Sequence, residues 1–262
     1  MEINYSPKKV WNDLIDSKEN IRHLIYIALI CLVFDIIAES FNLKFLSGVS
    51  SMLLGSYFIL MINNIIQDKQ PILEDLGKND KPERDLITII FKVLGIGIIY
   101  GLPTGIAAAF LLFFLLKILS INVILASVIL FIILIPMIIL IGFSNLLFAE
   151  NLKFKEAFNI KKSILCFKSA WKKYITVFLI YIMVILLVFC LLFVFLLPIT
   201  FLLDMLLKLN TTANLTTETV KLTGNFLGII FGTFGQFIVA YWYTNAIAQI
   251  YKYSLEKIEQ HK

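Results

Sequence analysis

Long apolar runs, separated by short polar segments, make up most of this chain. They are Ile21–Glu39, Phe45–Ile66, Leu86–Ile118, Ile121–Ala149, Tyr174–Leu203 and Leu222–Tyr251. The hydrocarbon core of a bilayer is about 30 Å thick, so a helix needs roughly 20 mostly apolar residues to cross it. The pattern therefore predicts an all-α, polytopic helical membrane protein with six transmembrane helices. Pro103, Pro136 and Pro198 interrupt the third, fourth and fifth runs. Proline removes a backbone donor, which membrane helices tolerate when neighbours satisfy the freed carbonyl. As one straight helix the fifth run would be about 45 Å long at 1.5 Å per residue. It must tilt, kink near Pro198 or leave the bilayer there.

Two further segments carry helical periodicity on a polar background. In residues 1–20, Ser6 suits an N-cap and Pro7 the first helical position. Val10, Trp11, Leu14 and Ile15 then share a face opposite Lys9, Asp13, Asp16 and Glu19, as an interfacial helix requires. In residues 155–173, Ile160, Ile164, Phe167 and Trp171 form a second stripe, with Lys161, Lys162, Lys168, Lys172 and Lys173 on the other side. The predicted organisation is an interfacial helix at 1–20, a six-helix domain at 21–251 that includes the basic amphipathic helix, and a tail at 252–262.

Composition agrees with this picture. Hydrophobic residues make up 60% of the chain and charged residues only 16%, against about 25% charged in soluble domains. The net charge of +5 does not point to nucleic acid, because the lysines cluster beside the apolar runs. Of the 23 Lys and Arg, eighteen fall in residues 1–22, 67–85, 150–173 and 252–262. The opposite connections hold Lys44, Lys117, Lys208 and Lys221, and Lys92 lies within a run. The positive-inside rule then places both termini in the cytoplasm. The richness in Ile, Lys and Asn suits an AT-rich prokaryote and hence its cytoplasmic membrane. No cleavable signal peptide is evident, since the first run carries Asp35 and ends without a small-residue cleavage site.

Chemistry-bearing motifs are scarce. Cys31, Cys166 and Cys190 are scattered, and the histidines are His23 and His261, so neither a disulfide framework nor a metal or haem cofactor is expected. There is no HExxH, Walker A loop, GxSxG or metal-binding carboxylate cluster, and the chain is not expected to be an enzyme. Asp35 and Glu39, one turn apart on the first span, are the candidate transport or proton-handling groups, because intramembrane charges are functional suspects. Small residues recur every fourth position at Gly97, Gly101 and Gly105, at Gly224, Gly228 and Gly232, and at Ser47, Ser51 and Gly55. Such stripes let helices approach closely, within one chain or across a homo-oligomer seam. Lys161, Lys162, Lys168, Trp171, Lys172 and Lys173 are the candidate contacts for anionic lipid headgroups, although the lysines also serve as topology signals. Asn210 and Asn214 stand in N-x-T patterns on the predicted outer side and are candidate glycosylation sites.

The order of several short motifs adds a resemblance. Leu54-Gly55-Ser56-Tyr57 lies in the second run and Gln70-Pro71 in the following connection. Ile99-Tyr100-Gly101-Leu102-Pro103 closes the first half of the third run, and Phe154-Lys155-Glu156-Ala157-Phe158 precedes the basic helix. This layout resembles the mainly archaeal membrane family called domain of unknown function 4013. It is also loosely similar to bacterial six-helix membrane domains fused to glycerophosphodiester phosphodiesterases. Asp85 stands where the family pattern has a glycine. The resemblance implies a helical membrane fold and assigns no functional residue. The leading expectation is a non-enzymatic membrane component that binds lipid, a membrane-protein partner or a second copy of itself. The alternative is a small-solute or ion permease using Asp35.

Overall fold

The computed structural model describes residues 10, 14–69, 85–209 and 217–260. Among them the chain is all-α, without strands. The elements are α1 (Lys18–Ser40), α2 (Lys44–Ile66), α3 (Leu86–Phe113), α4 (Val123–Asn151), α5 (Ile160–Leu209) and α6 (Thr217–Glu259). A π-helical turn, Phe114–Ile118, prolongs α3, and a 3-10 turn, Phe154–Phe158, joins α4 to α5. Among the described residues five helices are long and apolar enough to cross a membrane: Lys18–Ser40, Lys44–Ile66, Leu86–Ile118, Val123–Asn151 and Ile160–Val188. These mark the chain as a membrane protein. The predicted run Leu222–Tyr251 lies within the unbroken helix α6.

Polar side chains set several helix starts. The Ser17 hydroxyl accepts from the Asn20 amide at 3.3 Å and starts α1 ahead of its apolar run. Asp85 caps α3 by accepting from the Thr88 amide at 3.1 Å. Asn122 caps α4 through the Ile124 amide at 2.8 Å, and Asn159 receives the Lys162 amide at 3.1 Å at the start of α5. At the other end of α4, Leu152 takes the left-handed conformation, φ 54°, which stops the helix and turns the chain.

Pro103, Pro136 and Pro198 all sit inside helices that run past them. The break in α5 comes at Ala170 (φ −138°, ψ 24°), not at Pro198. It falls four residues before Tyr174, the predicted start of the fifth run.

The chain forms two compact units. One comprises Gly55–Trp171 and Ala248–Lys262, the other Glu2–Leu54 and Lys172–Ile247. In the first, α3 and α4 pack along each other and the 3-10 turn packs on α4. Ile89, Ile96, Leu147, Phe148, Cys166, Ile250 and Tyr251 are fully buried there. Lipid chains are as apolar as leucine, so dispersion and interhelical hydrogen bonds, rather than water exclusion, hold such helices together. Asn63 supplies such bonds, its amide donating to Ala149 O at 2.7 Å and Glu150 O at 3.2 Å. In the second unit Ile27, Cys31, Val177, Phe237 and Tyr241 are buried. Cys31 Sγ donates to Ser50 O at 3.6 Å, and Ser50 Oγ returns a bond to Cys31 O at 3.4 Å. Tyr181 and Tyr243 have ring centroids 4.2 Å apart. Val10 and Leu14 are buried while Ile15 is exposed, so the predicted N-terminal stripe is split between protein and surroundings. Trp11 lies outside the described residues.

Large apolar side chains cover the outside of α3 and α4. Phe91, Phe110, Phe113, Ile124 and Phe131 are all exposed. Water-soluble monomers rarely expose apolar surface on this scale.

The small-residue stripe of α3 makes no close contact among the described residues. Gly97, Gly101 and Gly105 are exposed, and a Cβ on any of them would meet nothing within 4 Å. The helix buries the Ile89–Ile96 line, which lies about a quarter to half a turn away at 100° per residue. The glycine that packs is Gly95, whose Cβ position is 3.1 Å from the Phe154 ring. Gly55, Gly228 and Gly232 likewise have open space at the Cβ position. Among the described residues none of these glycines makes the close intrachain approach that the stripes predict. Gly224 lies on α6 in a stretch whose side chains are outside the described set.

Candidate functional site

Two polar regions stand out, one in each unit. In the first, Glu150 near the end of α4 gathers partners from distant segments. Lys162 Nζ approaches both carboxylate oxygens at 2.7 Å, and Tyr251 OH donates to Oε2 at 2.7 Å. The backbone beside it is held as well. Lys92 Nζ donates to Leu152 O at 3.1 Å, and it stands 5.9 Å from the centre of the Phe148 ring. A cation against the last carbonyls of a helix also complements the helix dipole. Lys252 pairs with Asp68, and Lys257 donates to Ser169 O at 3.2 Å.

The 3-10 turn fills the space beside this cluster. Tyr100 OH donates to Ala157 O at 3.2 Å, and the Tyr100 ring stacks on Phe158 at 5.6 Å. Phe154 packs edge-on against Phe158 and beside Gly95. Two segments quoted above for their order in the chain, 99–103 and 154–158, thus meet in space.

These contacts fix the first three turns of α5, which present three faces. Ser163, Cys166 and Ala170 are buried. Ile160, Ile164 and Trp171 are 48%, 58% and 46% exposed. Phe167 leaves that stripe to pack on Phe143 at 5.7 Å. Lys161, Lys168 and Lys172 are exposed beside the apolar stripe. Of the six candidate lipid contacts, Lys161, Lys168, Trp171 and Lys172 therefore lie on exposed surface. Lys162 is committed to Glu150, and Lys173 is half-buried.

The second region is a cavity of about 490 Å³. Asp35 and Glu39 come from the last turns of α1, Lys44 and Ser47 from the first turn of α2, and Asn42 from the bend between them. Asn42 adopts φ 53°, a left-handed conformation that asparagine tolerates and that lets the two helices turn back-to-back. Gly228, Gly232, Thr233 and Gln236 come from α6. Thr233 Oγ1 donates to Asp35 Oδ2 at 3.1 Å. Both sequence-predicted carboxylates thus share one cavity, and Gly228 and Gly232 form part of its wall.

Asn210 and Asn214 lie outside the described residues. Among the described residues no group of three His, Cys, Asp or Glu is placed to hold a metal ion. Sequence inspection missed Glu150, Asn63 and Tyr251 as a group. Its one available signal was polar Asn63-Asn64 inside an apolar run. No protein-family model, curated protein or solved structure matches the chain.

Proposed function

We propose that this chain is a six-span component of a prokaryotic cytoplasmic membrane, non-enzymatic, that binds anionic lipid through the first turns of α5. The sixth span is Leu222–Tyr251, and both termini are cytoplasmic. Residues 1–20 form an interfacial helix. The chain's motif layout resembles that of the family called domain of unknown function 4013. The outward stripe Gly97, Gly101 and Gly105 suits lipid, a second copy or a membrane-protein partner.

The observation that carries the lipid reading is the surface of α5 before the Ala170 break. Ile160, Ile164 and Trp171 stand exposed beside Lys161 and Lys168, while the Glu150–Lys162 pair fixes the helix from behind. Apolar side chains enter the headgroup boundary and lysines attract anionic headgroups, at about 1 kcal/mol per lysine near the surface. The test uses full-length protein with Trp11→Phe and Trp242→Phe, so that Trp171 alone reports. Brominated phosphatidylglycerol in nanodiscs should quench Trp171 more than brominated phosphatidylcholine. Lys161→Gln with Lys168→Gln should remove the difference. Equal quenching by both lipids in the parent protein overturns the proposal.

A permease is the second reading, supported by the Asp35 carboxylate beside Thr233 in a cavity. Proteoliposomes under an imposed pH gradient test it. The expected result is no protein-dependent proton flux. A flux that Asp35→Asn abolishes would replace the lipid-binding proposal with the permease.

A further inference from the structure

We infer that the cavity between α1, α2 and α6 is a binding site for a molecule that carries a primary ammonium a few atoms from an anionic group. Phosphoethanolamine, free or as a lipid headgroup, has this chemistry. The inference rests on the cavity alone and is independent of the lipid contacts of α5.

The volume, about 490 Å³, falls in the range of small-molecule sites. On α6 the described lining is Gly228, Ile229, Gly232, Thr233 and Gln236. Gly228 and Gly232 are one turn apart, and a Cβ at either would meet nothing within 4 Å. Among the described residues no side chain fills that space. Gln236 follows Gly232 by a further turn, so the same line ends in an amide.

The opposite wall supplies charge. Asp35 and Glu39 are i and i+4 on α1, about 6 Å apart along the helix axis. Thr233 gives Asp35 one hydrogen bond, whereas a carboxylate has about four acceptor positions. An ammonium offers three donors and matches that acceptor surplus. Lys44 enters the same cavity from the start of α2. Among the described residues, the Asp35 carboxylate and the Lys44 ammonium on one cavity favour a ligand with a cationic end and an anionic one over a simple cation or anion. A trimethylated ammonium lacks N–H donors and should fit poorly.

The experiment titrates full-length protein in phosphatidylcholine nanodiscs with phosphoethanolamine by calorimetry, with phosphocholine as control. Phosphoethanolamine should bind saturably and phosphocholine should not. Asp35→Asn should weaken binding about tenfold or more, the loss of one charge-assisted contact. Gly232→Leu fills the cavity from open space and should abolish binding while the melting curve is kept. A second arm replaces part of the phosphatidylcholine by phosphatidylethanolamine. Stabilisation of wild type but not of Asp35→Asn identifies the lipid headgroup as ligand, whereas binding in the first arm alone identifies the free solute. The inference is overturned if neither arm shows binding. Equal binding of phosphocholine, or undiminished binding in both variants, overturns it as well.

Discussion

Glu150 and Asp35 are both carboxylates at the far ends of apolar helices, yet their surroundings differ. Glu150 is saturated: Lys162 contacts both oxygens, Tyr251 donates a third bond, and Asn63 holds the adjacent carbonyls. Asp35 receives one hydroxyl bond and lines an open cavity beside Glu39 and Lys44. A charge enclosed by fixed partners stabilises a fold. A charge with unfilled acceptor positions beside empty space is available to something that arrives from outside. The contrast is between two carboxylates, one among fixed partners and one beside open space.

The largest expected effect follows from the saturated site. Glu150→Ala leaves Lys162 and the Tyr251 hydroxyl without their acceptor. It should cost about 3 kcal/mol, the low end for a buried pair, because Lys162 keeps some contact with solvent. Thermal melting in detergent measures it. A wild-type melting curve for Glu150→Ala would mean that the cluster holds nothing together.

Next in size is the pair Gly95→Leu and Gly101→Leu. The first drives a side chain into the Phe154 ring, already 3.1 Å from the Cβ position, and should cost about 1–2 kcal/mol. The second points into open space and should leave detergent stability unchanged. If Gly101→Leu is the more damaging, the stripe packs against a second chain that survives in detergent.

The smallest effect belongs to the open site. Asp35→Asn keeps the shape and can still accept from Thr233, so stability should change by less than about 0.5 kcal/mol. A loss comparable to that of Glu150→Ala would make Asp35 a structural residue and erase the contrast.

Much of the fold was legible because hydropathy acts locally. The first four described spans match the predicted runs closely, and the fifth starts at Ile160 where the predicted run began at Tyr174. Asp35 and Glu39 stood out as acids at the end of an apolar helix. What failed was direction. Spacing marked Gly97, Gly101 and Gly105 as a packing stripe, but spacing does not say which way a stripe faces, and Gly95 on another line makes the contact. The fifth run was expected to tilt, kink near Pro198 or leave the bilayer there; the helix runs past Pro198, and its non-helical backbone lies at Ala170. The Glu150 cluster was invisible because Lys162, Tyr251 and Asn63 reach it from separate helices, with Tyr251 101 positions away in the chain. The lysines of residues 161–173 looked equivalent as a set, and only tertiary contacts distinguish Lys162, tied to Glu150, from Lys161 and Lys168 on the exposed face.

The placement of α5 on the cytoplasmic leaflet, and with it the six-span arrangement, is open to one direct measurement. Cys31, Cys166 and Cys190 are replaced by serine or alanine, and single cysteines are introduced at Asn79, Lys168 and Thr217. Intact cells are then treated with a membrane-impermeant thiol reagent. The cysteine at Thr217 should label, and those at Asn79 and Lys168 should label only after the membrane is opened. Labelling of the Lys168 site in intact cells would put the basic helix outside and contradict both the topology and the lipid-binding role.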